Sequence, residues 1–242
     1  MKRPRLLLAL ILGGAIVCAM VAYTLRASSH AREERLQTEV WAALDAYDFA
    51  EAGRLLEQSQ SETATTELLR ANLARRSFPE DFEAAREHLR RSSQLGASRE
   101  RAEFESLLLD CQQHGPPPGP EGALLQRAQS DPENGPLIYE AMVRGFLRVQ
   151  HFTGAIGCLD LWITQFPRDW RARMWRGAFF EHTARPEFAI REYEAALNDR
   201  PEDQRASKRL GLLLARTGYD FNAALHHLSS AHTVEDSDVL VA

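Results

Sequence analysis

The chain has 242 residues, 44% hydrophobic and 26% charged, enough to bury a substantial core in one large domain or an elongated array. Its net charge of −5 excludes a whole-protein case for nucleic-acid or bulk membrane-surface binding. The three cysteines, Cys18, Cys111 and Cys158, form no CxxC pair, so Cys111 and Cys158 are expected as small buried hydrophobes rather than a disulfide or metal site.

Residues 1–5 make a short basic N-terminus containing Lys2, Arg3 and Arg5, followed by an uncharged run from Leu6 to Leu25 that Arg26 closes. Twenty residues at helical rise span about 30 Å, the thickness of a bilayer's hydrocarbon core. The rival reading is a cleaved signal peptide, whose apolar region is usually about 7–15 residues, and no clear A-x-A site follows this run. A lipoprotein signal fits poorly, because Val17 precedes Cys18 and apolar residues follow it. The expectation is therefore a single-pass membrane anchor over 6–25. Basic residues in front favour an inside N-terminus, against Arg26, Arg32 and Arg35 close behind, which Glu33 and Glu34 partly offset. The helical body is then expected outside the cytoplasm, on the periplasmic side.

After the anchor no segment alternates with period two. Helix-period segments alternate instead with short turn signals such as FPED, FPRD, DRPED and ARTGYD. WAALDAYDFAEAGRLLEQS (41–59) reads as a turn and second helix, with Phe49, Ala52 and Leu56 on its apolar face. FEAAREHLRRS (82–92) repeats it, Ala85 answering Ala52, and a third pair is expected over 100–131. That pair contains HGPPPGPEG (114–122), where prolines forbid helix continuation and make a long turn or a joint. Residues 31–132 thus hold degenerate helical pairs.

From 136 to 237 the repeat is strict. Ala155, Ala189 and Ala223 are spaced by 34, as are Val143, Gly177 and Gly211, and Phe146, Phe180 and Leu214. Leu159, Tyr193 and His227 keep the step, and Pro167 and Pro201 close the first two copies. Three units in phase run 136–169, 170–203 and 204–237, followed by 238–242, the start of an incomplete further helix.

On these residues the chain resembles the tetratricopeptide repeat (TPR) family. Tyr139, Met142, Phe146, Ala155, Leu159 and Pro167 match its pattern in the first unit. Gly177, Phe180, Ala189, Tyr193, Ala196 and Pro201 match in the second, and Leu210, Gly211, Leu214, Ala223 and Ser230 in the third. Arg173, Ser207, Arg176 and Trp162 depart from it at packing positions. The resemblance implies an all-α fold, an α-solenoid of about six stacked antiparallel helix pairs, here preceded by one transmembrane helix. It also explains why helix EFAIREYEAALNDRP keeps Ala189 and Ala196 on its buried stripe. A two-helix unit cannot bury its apolar face alone, and stacked helices approach closely only where side chains are small.

Catalytic signatures are absent: no GxxxxGK[ST], GxSxG, HExxH or EF-hand pattern occurs. His226 and His227 are adjacent on a helix and diverge by about 100°, too far for easy joint chelation. Glu192 and Glu194, or Glu202 and Asp203, read as solvated faces and helix-start charges rather than acid–base pairs. No enzyme, cofactor or metal is expected.

The informative surface is the face that the resemblance assigns to the concave groove. It carries Leu137, Glu140, Ala141, Arg144, Leu147 and Arg148 in the first unit. Arg171, Met174, Trp175, Ala178, Glu181 and His182 follow in the second, then Arg205, Lys208, Arg209, Leu212, Ala215 and Arg216 in the third. The basic members Arg144, Arg148, Arg171, Arg205, Lys208, Arg209 and Arg216, with Trp175 as an apolar anchor, suit an acidic or C-terminal carboxylate segment of a protein partner. Arg205 and Arg209 match basic positions of the family's chaperone-binding clamp. Arg144 and Trp175 stand where that clamp has asparagines, so a chaperone tail is not implied. Two functions compete: a membrane-anchored scaffold binding protein segments in this groove, or a structural subunit of an envelope or secretion assembly. The second would pack or self-associate through the uncapped C-terminal end of the array.

Overall fold

A computed structural model describes residue 23 and residues 31–59, 61–116 and 121–231. Among them there is no strand and there are twelve helices. These are α1 (31–45), α2 (Phe49–Gln58), α3 (Ala64–Arg76), α4 (Phe82–Gln94), α5 (Arg99–His114) and α6 (Glu121–Ser130), followed by α7 (Gly135–Arg148), α8 (Phe152–Gln165), α9 (Trp170–His182), α10 (Pro186–Asp199), α11 (Gln204–Thr217) and α12 (Phe221–Ser230).

One expectation is corrected. No helix among the described residues is long and apolar enough to cross a membrane, which overturns the single-pass membrane localisation. Apart from Tyr23, the run 6–25 lies outside the described residues, as do 1–5 and the C-terminal stretch 238–242.

The described chain divides into two compact units, and the division is not a single cut. One unit comprises the residues up to Ala74 with Ala84–Ser98; the other comprises Arg75–Glu83 and the chain from Arg99 onward. In the first, Val40, Ala43, Leu44, Ala52, Leu55, Leu56 and Leu69 form a core from α1, α2 and α3. The Asp48 side chain caps α2 by accepting from the Glu51 N–H at 3.0 Å. Glu67 is buried against Arg70 and against His88 Nδ1 at 2.8 Å.

In the second unit α5 and α6 pack on α7, and each later helix packs on its neighbour through to α12. The turn within each of the last three pairs has a left-handed residue at the same phase: Gln150 (φ 58°), Ala184 (φ 55°) and Gly218 (φ 71°), each 34 residues after the last. After α7, the His151 N–H donates to Phe146 O at 2.8 Å and Gln150 N–H to Leu147 O at 3.0 Å. After α9 the same two bonds recur, Arg185 to Phe180 O and Ala184 to Glu181 O. This paired closure satisfies carbonyls that a helix end otherwise orphans. At the other ends Asp169, Asp203 and Asp220 cap α9, α11 and α12 through backbone N–H groups.

The close approaches fall where the small residues stand. Ala189 and Ala196 on α10 are fully buried on either side of a fully buried Tyr193. The Tyr193 ring lies over Gly177 of α9, where a Cβ would meet it at 2.6 Å. Gly145 of α7 lets that helix reach α5 so closely that a Cβ would lie 2.2 Å from Cys111 O. Trp162, an oversized residue for its repeat position, is accommodated by stacking on Tyr139 with ring centroids 6.1 Å apart and donating to Asp169 at 3.0 Å. Arg173 and Arg176 replace expected apolar residues and reach across the stack instead. Arg176 pairs with Asp160 of α8 at 3.0 Å and Glu192 of α10 at 2.7 Å, and Arg173 with Asp199 at 3.2 Å. Glu192 is thus a half-buried partner for arginine, not a solvated charge.

Candidate partner-binding groove

The groove face of α7 is occupied by the chain itself. Residues 75–83, the last turn of α3 and the segment leading into α4, lie along it within the second unit. Glu140 on α7 receives a two-pronged contact from Arg76, Nε to Oε1 at 3.2 Å and the terminal nitrogen to Oε2 at 2.9 Å. Arg144, one turn on, donates to Arg76 O at 3.0 Å and pairs with Glu80 at 2.8 Å. Arg148, another turn on, holds the second Glu80 oxygen at 3.0 Å. The helical spacing of 140, 144 and 148 puts all three on one face, and the turn between α3 and α4 meets them in succession.

Aromatic rings complete the contact. The Arg144 guanidinium sits over Phe78 at 4.7 Å and over Trp175 at 5.5 Å, and Arg148 over Phe82 at 4.8 Å. Behind them Arg75 donates to Gln112 at 3.1 Å and lies 3.6 Å from Glu105, while Gln112 donates to Arg75 O at 2.8 Å. Arg75, Arg76, Arg144, Glu105, Glu140 and Gln112 are all buried. Burial alone would raise the Glu140 carboxyl, but the guanidiniums of Arg76, Arg144 and Arg75 outweigh it and hold the group down at about 2. Glu80 moves the same way: burial pushes it up, and Arg144 and Arg148 pull it below its ordinary value. Three buried cations facing three carboxylates are close to neutral, which is what makes their burial tolerable.

The expected site residues therefore have unequal fates. Arg144 and Arg148 are engaged by Glu80, and Trp175, only 2% exposed, is part of the core rather than an open anchor. Arg171 folds back on Asp169, the cap of its own helix, at 2.8 Å. Arg205 and Lys208 are half-buried on α11. Arg209 and Arg216 converge on Glu181 of α9 at 3.1 and 3.3 Å. The buried Tyr193 hydroxyl donates to the same carboxylate at 2.9 Å, and burial raises that phenol well above its ordinary value.

One groove residue gains importance. Leu212 is 48% exposed on α11, three residues after Arg209 and four before Arg216, so it lies on their face. Leu212 and Arg216 stand two 34-residue steps after Arg144 and Arg148. Sequence reasoning placed Glu140 on this face but missed Arg75, Arg76, Glu80, Glu105 and Gln112. The one available signal was an arginine pair at the end of a helix and a glutamate inside the otherwise apolar α7.

No protein-family model matches the chain, and no curated protein matches it. Among solved structures it is similar to MamA AMB-1, with 16% identity over 87% of this chain and 98% of that one and a TM-score of 0.37. It is similar to MamA MSR-1 at 16% identity, over 83% of this chain and 95% of that one, again with a TM-score of 0.37. Likeness at that level assigns this chain neither a partner nor a family.

Proposed function

We propose that this chain is a TPR-like protein-interaction scaffold whose α9–α11 groove face binds an acidic segment of a partner protein. The observation that carries the reading is the contact on α7, where the turn between α3 and α4 lays Glu80 between Arg144 and Arg148 with Phe78 and Phe82 against the guanidiniums. Two steps along the repeat, α11 presents Arg205, Lys208, Arg209, Leu212 and Arg216 on the corresponding face. A partner acid there meets guanidinium forks, and Leu212 in place of Trp175 supplies the apolar contact.

The test measures binding of a fluorescent acidic peptide of Asp, Glu and Leu to the full chain at low salt. Replacing Lys208 and Arg216 together by Ala should weaken binding at least tenfold, since about 1.4 kcal/mol is tenfold and charged hydrogen bonds contribute about 1.5–3 kcal/mol. Arg209 is spared because it also supports Glu181 and Tyr193. A control altered at the exposed Glu194 and Glu202 should bind like wild type. Equal affinity for wild type and groove variant sinks the reading. A second reading, packing of the last helical pair into a larger assembly, is favoured by the exposure of Phe221 (70%) and Leu225 (53%) on α12. Sedimentation that is independent of concentration, with no co-purifying partner at high salt, counts against it.

A further inference from the structure

We propose that Glu181 is a built-in competitor for the partner's carboxylate, holding Arg216 while the groove is empty and releasing it when an acidic segment binds. This rests on the groove reading above and adds its regulation. Three donors from two neighbouring helices converge on Glu181, and they differ sharply in exposure. Tyr193 is fully buried, the Arg209 side chain is 11% exposed and that of Arg216 is 65% exposed. Arg209 and Tyr193 are therefore fixed partners. Arg216 is bound by an exposed and comparatively long contact, the kind of ion pair that gains little over solvation and exchanges readily.

The charge at the site is also unbalanced. One terminal nitrogen of Arg209 is buried without a hydrogen-bond partner, because its other terminal nitrogen alone reaches Glu181. One carboxylate facing two guanidiniums leaves a local excess of positive charge. An incoming carboxylate takes the exposed Arg216 from Glu181, while its apolar neighbour lies on Leu212. Glu181 keeps Arg209 and Tyr193, so the stack of α9, α10 and α11 is undisturbed. The occupant is an acidic protein segment with an apolar residue beside the acid.

The experiment uses the full chain and the same fluorescent Asp/Glu/Leu peptide, with its Asn/Gln/Leu counterpart as the uncharged probe. Glu181→Gln retains an acceptor for Tyr193 and Arg209 but removes the competing charge. It should tighten acidic-peptide binding three- to tenfold, leave the uncharged probe unaffected, and lose its effect in an Arg216→Ala background. Unchanged or weaker binding by Glu181→Gln, where wild type binds, overturns the competitor role and leaves the groove reading standing. A gain that persists with Arg216→Ala also overturns it, since charge removal alone would then suffice. If wild type does not bind the acidic peptide at all, the groove reading falls and the competitor with it. Side-chain NMR of the wild-type arginines gives a readout independent of any variant: peptide addition should shift the Arg216 Nε resonance more than that of Arg173, which ties α9 to Asp199 of α10. An unmoved Arg216 resonance at saturating peptide overturns the proposal.

Discussion

Arg76 and Glu140 face each other through two parallel contacts of 3.2 and 2.9 Å, with the arginine side chain 0% and the glutamate 1% exposed. A pair this dry is costly to break on one side only, because the survivor remains as an uncompensated buried charge. Glu140→Ala should therefore destabilise the protein by about 3–5 kcal/mol, measured by urea denaturation, because it strands Arg76 and takes one of two carboxylates from Arg144, which keeps Glu80. An effect below about 1 kcal/mol would mean that water reaches these guanidiniums.

The same pair sets an acid limit. Glu140 has an ordinary value of 4.5 and is held at about 2 in the folded chain, burial being outweighed by three arginines. The unfolded chain thus takes up this proton at higher pH than the folded one, so the contribution is complete above about 4.5 and lost as pH falls toward about 2. Stability should drop across that interval in wild type and drop less in Glu140→Gln. Glu87 is also held at about 2, by Arg90 and Arg91, but on the exposed surface of α4. Salt at about 1 M should screen the Glu87 contribution and leave that of Glu140 largely intact. Matching salt sensitivity at the two sites would contradict the buried geometry.

Ala184 holds a φ of 55° at the turn between α9 and α10, where glycine is the unstrained residue. The left-handed conformation costs an L-residue roughly 1–2 kcal/mol, part of which the extra freedom of glycine in the unfolded chain cancels. Ala184→Gly should stabilise by about 0.5–1 kcal/mol and raise the melting temperature by roughly 1–4 °C. The change Gly218→Ala, at φ 71° in the next unit, should do the opposite. A melting temperature lowered by Ala184→Gly would count against the strained turn.

Ala189 is fully buried beside Tyr193 at the crossing of α9 and α10. Leucine there must push helices apart that Gly177 brings together, so Ala189→Leu should cost about 1–3 kcal/mol. Thermal melts decide it: a variant as stable as wild type would show a crossing looser than the one described.

The last three pairs were legible because stacking demands small residues at fixed phase. Ala155, Ala189, Gly177 and Gly211 carry that demand openly. The occupant of the α7 face was not legible. Periodicity identifies which face of α7 meets something, but Arg76 lies 64 residues from Glu140 and no local pattern links them. Glu140 and Arg144 resemble solvated groove charges when read alone, and only their partners make them core. Trp175 misled for a similar reason: its phase is that of the groove, but the Arg144 guanidinium covers it. Arg173 and Arg176 looked like defects in the repeat and prove to be cross-helix ties to Asp199, Asp160 and Glu192.

The interleaving of the two units bears on how the chain can be dissected and how it is made. Residues 75–83 belong with the unit that resumes only at Arg99, so neither unit is a continuous stretch of sequence. A protease nick or truncation between 98 and 99 would deprive the later unit of the Arg76 and Glu80 contacts to α7 while leaving every helix from α5 onward intact. During synthesis those two side chains emerge long before α7 exists to receive them. The segment must therefore wait, solvated, until some 65 further residues have left the ribosome, several seconds at roughly 5–20 residues per second. Joining of the segment to α7 is a late, non-local event in a fold whose other contacts are mostly between neighbours, and such closures slow folding.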